Sequence, residues 1–387
     1  MEKDYLSLKI GIIGGGQLGK MMIQAAKKLG FYITILDPCP FAPASSIADR
    51  QIIAEFDDRK AIEELCMVSD IVTYEFEHIG ADILVEMENK GTKIYPTAKS
   101  LILIQNKLVQ KQLLKKSGIN VPEFMEIKNK EDMKKAGDVF GFPFMLKNCT
   151  GGYDGKGNAI VGSIKEIDYK YKLLGNGSMP LMAEKLIDFI METSVLACRG
   201  IDKSTKVYPV GNNIHKDSIL HITSVPADLS HEVSKKAMEA AKNVMEVFDG
   251  VGMFCIEMFI EKDGNVLINE VAPRPHNSGH YSIEGCKTSQ FENHIRAICS
   301  LPLGSTELLS PVAMINLLGD ENSKGKAFVS GIYDALKVDG AKVHIYGKKI
   351  SKPKRKMGHI TVTAENADDA VNKAIQAYEK IKIIGKN

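Results

Sequence analysis

Two glutamates near the middle of the chain could together hold a divalent cation. Glu257 and Glu270 occur in FCIEMFIEKDGNVLINEVAP, on either side of Asp263–Gly264, a pair typical of two-residue hairpin turns. In that register the two carboxylates face each other. Opposed carboxylates repel, and Mg²⁺ bound through both of them and through substrate phosphates would relieve the repulsion.

The neighbouring pairs of the same hairpin predict an apolar surrounding for these carboxylates. The register places Phe259 opposite Ile268 and Cys255 opposite Ala272. Two alternatives stay open: a solvated edge hairpin, or a pair in which one carboxylate remains protonated.

A loop rich in hydrogen-bond donors follows the second glutamate. NEVAPRPHNSGHYS, residues 269–282, has its donors at Arg274, His276, Asn277, Ser278 and His280, and its prolines restrict the backbone. This density of donors beside a carboxylate pair favours a preorganised anion or substrate site over a purely structural polar loop.

A glycine-rich segment could cover phosphates. NCTGGYDGKGNAI, residues 148–160, lies between two strand-like runs, follows Lys147 and contains Lys156. It does not fit the P-loop pattern, but backbone N–H groups of a glycine-rich hairpin can bind phosphate, and a mobile surface hairpin is the alternative. The stretch AEKLIDFIMETSV, residues 183–195, indicates only a core strand when taken alone.

A second glycine pattern lies near the N-terminus. In KIGIIGGGQLGKMMIQAAKKLGFYITILD, the residues Gly14, Gly16 and Gly19 form G-x-G-x-x-G after a strand-like run, and Asp37 ends the next strand. This is the nicotinamide or flavin pattern, so an oxidoreductase is one hypothesis. The same geometry suits any anionic ligand, because a helix N-terminus follows the close-approach glycines.

The elements that must position these residues fall into three stretches. Residues 8–100 alternate strands and helices, which predicts a parallel α/β sheet of about four or five strands, half a Rossmann fold. SLILIQNKLVQKQLLKKSGINVP predicts one long helix capped by Gly118. The chain to about residue 300 indicates an α+β region with antiparallel hairpins, and residues 311–387 indicate short strands and a final helix from about Ala367.

Bulk composition limits the classes of function. A chain of 387 residues predicts two or three domains, and a formal net charge of +2 gives no reason to expect nucleic acid, although KKISKPKRK (348–356) is locally basic. The seven cysteines lack a C-x-x-C and predict reduced thiols. Apolar runs are too short for a membrane span, and the N-terminus is acidic where a signal peptide is basic. We expect a cytoplasmic enzyme without a membrane partner.

Together these segments resemble the ATP-grasp superfamily and, within it, the N5-carboxyaminoimidazole ribonucleotide synthases of bacterial purine biosynthesis. The motifs GGGQLG, YEFEH, GGYDGKG, NEVAPRPHNSGHY, SQFENHIRAI and RKMGHI stand where that family has them. The resemblance implies an ATP-dependent ligase that converts 5-aminoimidazole ribonucleotide and bicarbonate to N5-carboxyaminoimidazole ribonucleotide, ADP and phosphate through carboxyphosphate. It also implies a homodimer with a pre-ATP-grasp Rossmann-like domain (1–104), an ATP-grasp domain (105–305) and a small β-rich C-terminal domain (306–387).

The resemblance further implies which residues bind ATP and Mg²⁺. Lys107, where the family more usually has Arg, and Lys147 would contact phosphates, and Glu257 and Glu270 would hold Mg²⁺. The segment 184–187 would form the adenine hinge. The predicted ATP-binding residues are Lys107, Lys147, Gly152, Tyr153, Asp154, Gly155, Lys156, Gly157, Glu184, Lys185, Leu186, Ile187, Glu192, His215, Asn269 and Glu270.

The remaining site residues concern bicarbonate and the ribonucleotide. Arg274, His276 and Asn277 would be catalytic, binding bicarbonate and carboxyphosphate, and Asp37 would be a strand-end residue. The predicted ribonucleotide-binding residues are Gly16, Gln17, Leu18, Glu75, Tyr153, Asp154, Lys348 and Arg355, the last two on its phosphate unless they belong to a solvated charge run.

Three other functions remain open at this point. Another ATP-grasp ligase could act on a ribonucleotide with a different carboxylate. A nicotinamide oxidoreductase would explain the N-terminal glycines. It would not explain the glycine-rich segment 148–160, the opposed glutamates or the basic segment 348–356. A nucleotide-binding protein without catalysis is the third.

Overall fold

The structure, a computed structural model, describes residues 5, 7–152 and 157–386. The strands are β1 (Lys9–Ile13), β2 (Tyr32–Leu36), β3 (Arg50–Ile52), β4 (Ile71–Tyr74), β5 (Lys93–Ile94), β6 (Phe124–Ile127), β7 (Phe144–Asn148), β8 (Asn158–Val161), β9 (Leu181–Lys185), β10 (Phe189–Arg199), β11 (Thr205–Val207), β12 (Gly211–Lys216), β13 (Ile219–Val225), β14 (Gly252–Glu261), β15 (Val266–Ala272), β16 (Val312–Leu318), β17 (Gly325–Ser330), β18 (Ala341–Ile345), β19 (Ile350–Ser351), β20 (Lys356–Thr363) and β21 (Lys382–Lys386).

The helices lie between these strands. They are α1 (Gln17–Lys27), α2 (Arg59–Met67), α3 (Ala81–Asn89), α4 (Ala98–Gln105), α5 (Lys107–Lys116), α6 (Lys130–Phe140), α7 (Ile167–Leu173), α8 (His231–Phe248), α9 (Ser282–Gly285), α10 (Gln290–Ile298), α11 (Ile332–Ala335) and α12 (Ala367–Lys380). Within the ranges described, no helix has the length and apolar character needed to cross a membrane.

The predicted N-terminal sheet is confirmed. Its strands run in parallel in the order β3–β2–β1–β4–β5, so the carboxyl ends of β1 and β4 lie side by side. That is the edge at which open α/β sheets bind ligands. The helix α10, from the middle of the chain, packs against α1 through Phe291 and Ile295, which joins this sheet to the rest of the molecule.

The central and C-terminal strands share one large antiparallel sheet. Its order is β15–β14–β10–β12–β13–β16–β20–β18, with β11 beside β10. The C-terminal strands are therefore continuous with the central ones through the pairing of β13 with β16. A smaller sheet, β6–β9–β7–β8, carries the glycine-rich segment between β7 and β8, and β19–β17–β21 form the last.

The prediction of one long helix before Gly118 is wrong. The helix breaks at Asn106, whose backbone is extended (φ −101°, ψ 106°) and whose side chain accepts hydrogen bonds from the backbone N–H of Leu108 and Val109. Asn106 thus ends α4 and caps α5, as asparagine favours. The backbone N–H of Lys107 donates to the Cys149 carbonyl at 2.7 Å, so the break brings Lys107 beside the end of β7.

The Glu257–Glu270 hairpin keeps its predicted central pair although its turn differs. Glu257 pairs with Glu270 and Cys255 with Ala272, as predicted. The turn has one residue more than predicted, with Gly264 at φ 78°, and Phe259 pairs with Leu267 instead of Ile268. The register shifts between Glu257 and Met258, and this irregularity restores the predicted pairing at the glutamates.

Candidate active site

The predicted site residues meet around one large cavity of about 930 Å³. Its walls come from the start of α1, the segment after β4, the start of α5, strands β14 and β15, and the loop after β15. The predicted residues that line it are Gln17, Leu18, Glu75, Lys107, Lys147, Gly152, Glu192, His215, Glu257, Asn269, Glu270, Arg274, His276 and Asn277.

The opposed carboxylates lie on the cavity wall. Both side chains lie deep in the cavity wall, but 27% of the Glu257 side chain and 42% of the Glu270 side chain are solvent-accessible. Burial and the charge of Glu270 raise the pKa of Glu257 to about 6, as expected for two carboxylates that repel. No group of three or more His, Cys, Asp or Glu in the described ranges is arranged for a metal ion. Two opposed carboxylates suit Mg²⁺, provided that its remaining ligands would come from phosphates and water.

Lys107 neutralises one of these carboxylates. It is the first residue of α5, and its ammonium lies 2.5 Å from Glu270 Oε1. Burial alone would lower the pKa of Lys107, but the charge and hydrogen bond of Glu270, together with the charges of Glu257 and Glu184, outweigh burial and raise it. Burial would likewise raise the pKa of Glu270, and Lys107 lowers it. A charged lysine thus lies where the resemblance expects a phosphate contact.

Glu184, the first residue of the expected adenine hinge, forms ion pairs with the ammonium groups of two lysines. It is 2% exposed, and both Lys147 of β7 and Lys111 of α5 form ion pairs with its carboxylate. Burial would raise the pKa of Glu184, but Lys111 and Lys147 lower it to about 2. Sequence analysis missed Lys111. The signal that could have found it is a lysine one helical turn after Lys107, on the same helix face.

Glu192 and His215 form a pair across β10 and β12. His215 Nδ1 lies 2.5 Å from Glu192 Oε2. Burial would lower the pKa of His215, but the hydrogen bond and charge of Glu192 raise it. This pair lies on the cavity wall together with Asn269, whose Oδ1 accepts a hydrogen bond from Lys147 Nζ at 3.3 Å.

Arg274 is held by a glutamate from the segment that follows β4. Its Nη2 lies 2.8 Å from Glu77 Oε1, and its Nη1 donates to the Pro275 carbonyl at 3.1 Å. Burial would lower the pKa of Arg274, but Glu77 raises it. Glu77 belongs to the YEFEH motif, and sequence analysis missed it because nothing local in the sequence connects it to Arg274.

The two residues beyond Pro275 are also fixed. His276 Nδ1 bonds Ser278 Oγ at 2.9 Å, and its Nε2 lies 3.8 Å from Glu257 Oε1. Burial, and then the charge of Arg274, hold the pKa of His276 well below its usual range, so the ring is neutral. The side-chain amide of Asn277 exchanges two hydrogen bonds with that of Asn316, at 2.9 and 2.7 Å. A guanidinium, a neutral imidazole and an amide are therefore held in fixed positions on the cavity wall, an arrangement that suits an anion.

The N-terminal glycine motif holds a carboxylate of the chain itself. The backbone N–H groups of Gly16 and Gly19 donate to the two oxygens of Glu75, at 2.5 and 2.6 Å. A Cβ at Gly16 would come within 2.5 Å of Glu75 Oε1, so this contact requires glycine. Asp37 receives the N–H of Gly15 and of Cys39, both at 2.8 Å. Its oxygens are used by the backbone, which argues against a ribose clamp.

Several predicted residues lie elsewhere. Gly16 contributes through its backbone, and Glu184 lies behind Lys147. Other predicted residues absent from the cavity lining are Gly157, Lys185, Leu186, Ile187, Lys348 and Arg355, whereas Tyr153, Asp154, Gly155 and Lys156 lie outside the described residues. Arg355 donates instead to the Ile350 carbonyl at 2.8 Å, and Lys348 to the Lys356 carbonyl at 2.8 Å.

Lys356 is the C-terminal cation that lines the cavity, and sequence analysis missed it. It follows Arg355 directly and begins β20. Arg355 precedes the strand and donates to the Ile350 carbonyl, so Lys356 is the cation of the motif RKMGHI that lies on the cavity wall. To choose between Arg355 and Lys356 from the sequence, one would have to know where β20 begins and which side chain points to the cavity.

The fold and the cavity define an ATP-grasp protein. Residues 112–291 match the family model of the ATP-grasp domain, residues 7–105 that of the ribonucleotide synthetase preATP-grasp domain, and residues 312–373 that of the phosphoribosylaminoimidazole carboxylase C-terminal domain. The predicted resemblance to this superfamily is confirmed.

Similarity to individual proteins narrows the class. The chain is 41% identical over 366 residues to N5-carboxyaminoimidazole ribonucleotide synthase of Bacillus subtilis (strain 168), covering 94% of each chain. It resembles the crystal structure of the Thermotoga maritima synthetase of that name, with a TM-score of 0.89, 44% identity and coverage of 98% and 100%. It also resembles the Aspergillus clavatus enzyme in complex with ADP and 5-aminoimidazole ribonucleotide, with a TM-score of 0.90, 35% identity and coverage of 97% and 100%. The chain belongs to the family of N5-carboxyaminoimidazole ribonucleotide synthases.

Proposed function

We propose that this chain carboxylates 5-aminoimidazole ribonucleotide with bicarbonate at the expense of ATP. The products are N5-carboxyaminoimidazole ribonucleotide, ADP and phosphate, and the step belongs to purine biosynthesis. The observation that carries the proposal is the single cavity in which a lysine–glutamate cluster, the Arg274 anion site and the glycine motif of α1 adjoin. The names of the relatives support it.

ATP would occupy the end of the cavity between the small sheet and the β14–β15 hairpin. Lys107 and Lys147 are placed to neutralise its phosphates, and Glu192 with His215 to bind its ribose. Glu257 and Glu270 would hold Mg²⁺, which neutralises phosphate charge when bound. The hinge segment 184–187 and the flap 152–157 complete the proposed site.

Bicarbonate would bind at Arg274, His276 and Asn277. Its oxygen attacks the γ-phosphorus, and ADP leaves, which gives carboxyphosphate. This step depends on positioning and on neutralising charge, and Arg274 supplies the fixed positive charge. His276 is neutral, so it can donate or accept a hydrogen bond without adding charge.

The ribonucleotide would bind against the start of α1. Gln17, Leu18 and Glu75 line that end of the cavity. Its amine attacks the carboxyl carbon, and phosphate leaves. We assign its ribose phosphate to Lys348 and Arg355 as the resemblance implies, with Lys356 as an additional cation on the cavity wall.

We further propose an oligomeric state, a cellular location and domain limits for this enzyme. The enzyme acts as a homodimer in the cytoplasm, and its domains are 1–104, 105–305 and 306–387. The separate sheet formed by β1 to β5 supports the first limit.

Phosphate release from ATP tests the proposed reaction. With Mg²⁺, bicarbonate and 5-aminoimidazole ribonucleotide together, release should be fast and equal to the carboxylated product formed. Omission of either substrate should suppress it. Release that does not rise with the ribonucleotide would contradict the proposal, and release that depends on another carboxylate would favour the alternative ATP-grasp ligase.

A further inference from the structure

We call the part of the cavity between the small sheet and the β14–β15 hairpin, where ATP is proposed to bind, the nucleotide end. A buried lysine outside the cavity lining connects the small sheet to this hairpin. Lys111, on α5, is 2% exposed. Its ammonium forms an ion pair with Glu184 on β9 and donates to the Ile268 carbonyl on β15 at 3.2 Å. Burial, only partly offset by Glu184, lowers the pKa of Lys111 to about 8. No sequence motif assigned a role to this residue.

The two lysines on Glu184 differ in what they can reach. Lys147 lines the cavity and also donates to Asn269 Oδ1 at 3.3 Å. Lys111 lies behind Glu184 and has 3% of its side-chain surface exposed, against 12% for Lys147. A phosphate in the cavity could therefore draw Lys147 away from Glu184 but could not reach Lys111.

Loss of Lys147 would leave Glu184 dependent on its second partner. Glu184 is 2% exposed, and a carboxylate so buried is strongly destabilised without a cation. The other charged groups that act on this cluster are Lys107 and Glu270, which pair with each other. Lys111 is the ammonium that remains on Glu184 once Lys147 has turned to a phosphate.

We propose that Lys111 is a positioning residue: it is the permanent counterion of Glu184 and thereby releases Lys147 to bind nucleotide phosphate. This inference rests on the proposed ATP site. Without Lys111, Lys147 can turn to a phosphate only if Glu184 takes up a proton. Binding then becomes weaker and takes up a proton.

Calorimetric titration with ADP at pH 7, in two buffers with different ionisation enthalpies, tests this coupling. Lys111→Met should bind ADP at least roughly tenfold more weakly than the wild type. It should take up as much as about one additional proton per ADP bound. Lys116→Met, an exposed lysine at the end of the same helix, should match the wild type in both. A purely structural role of Lys111 would weaken binding without additional proton uptake, and that result would overturn the proposal.

A double variant covers the case in which Lys111→Met does not fold. Lys111→Met combined with Glu184→Gln contains neither buried charge and should bind ADP as tightly as Glu184→Gln alone. If the double variant binds about tenfold more weakly than Glu184→Gln, Lys111 acts independently of Glu184 and the proposal fails. Absence of ADP binding by the wild type would instead contradict the proposed function, so the two failures are distinguishable.

Discussion

At each end of the cavity, hydrogen-bond donors hold a carboxylate of the chain itself, but the donors differ in kind. At the α1 end, the neutral backbone N–H groups of Gly16 and Gly19 hold Glu75. At the nucleotide end, the ammonium groups of Lys107 and Lys147 hold Glu270 and Glu184.

This difference changes the charge state of the carboxylates. Burial raises the pKa of Glu75, and the two amide hydrogen bonds offset only part of that effect. The pKa of Glu184 and that of Glu270 are lowered, because full charges outweigh burial. In the proposed function, the nucleotide end would therefore exchange ion pairs when ATP binds, whereas the α1 end holds a carboxylate that protonates more easily.

The largest predicted effect lies at the nucleotide end. Glu270→Gln removes a proposed Mg²⁺ ligand and the partner of Lys107, so kcat should fall by about a thousandfold or more. Phosphate release measures this, and thermal unfolding should stay close to the wild type. Glu261→Gln, on the same hairpin but outside the cavity lining, is the matched control. Activity above a tenth of wild type with Mg²⁺ would refute the metal assignment.

A smaller loss is expected where the two ends meet. Arg274→Lys keeps the charge but cannot reproduce the contacts of guanidinium with Glu77 and Pro275, so kcat/KM for bicarbonate should fall by about a hundredfold. ADP affinity should not change. Arg296→Lys, in an ion pair on α10, serves as the control. A matching loss of ADP affinity would mean that Arg274 belongs to the nucleotide end.

The α1 end should respond selectively and less strongly. Glu75→Gln places an amide NH₂ against one of the two backbone N–H groups, which costs about 1–3 kcal/mol. The KM for the ribonucleotide should rise roughly tenfold while ADP affinity is retained. Glu64→Gln, at a half-buried glutamate of α2 outside the cavity lining, is the control. An unchanged ribonucleotide KM would remove Glu75 from the proposed site.

The smallest predicted effect concerns His294, which connects the N-terminal sheet to the large antiparallel sheet. His294 accepts the Met253 N–H at Nδ1 (3.1 Å) and bonds Thr73 Oγ1 through Nε2 (2.9 Å), so it links β14 to β4. Burial lowers its pKa from 6.5 to about 3. As pH falls below 6.5, His294 therefore binds a proton in the unfolded chain but not in the folded one. This should lower the free energy of unfolding by about 1.4 kcal/mol for each further pH unit.

Urea unfolding between pH 7 and 5 measures that contribution. His294→Gln, compared with His231→Gln at an exposed position, should flatten the pH dependence of the free energy of unfolding. Equal slopes for the two variants would show that His294 is protonated in the folded chain.

The sequence predicted the arrangement of this fold where patterns are local. The parallel N-terminal sheet followed from its alternating strands and helices, and the Glu257–Glu270 pair from its turn and strand lengths. The pair was predicted through a turn that is one residue too short, and the register shift beside Met258 compensates for the error. A bulge of this kind leaves little trace in a period-two pattern.

What the sequence did not predict depends on contacts between distant segments. The pairings of Lys111 with Glu184 and of Glu77 with Arg274 arise only once α5 lies beside β9 and the segment after β4 lies against the loop after β15. The break at Asn106 was missed because its neighbours favour helix, and the capping hydrogen bonds of the Asn106 side chain prevailed. Lys348 and Arg355 could not be compared with Lys356 without the direction in which each side chain points.

In the proposed reaction, bicarbonate bound between the two ends attacks ATP at one end and passes its carboxyl group to the ribonucleotide at the other. Turnover with ¹⁸O-labelled bicarbonate, followed by mass spectrometry of the phosphate released, tests this most directly. We expect one ¹⁸O atom in each phosphate and labelled carboxyl oxygen in the product. Phosphate that contains no ¹⁸O during turnover with the ribonucleotide would mean that bicarbonate is not the nucleophile, and the account would be wrong.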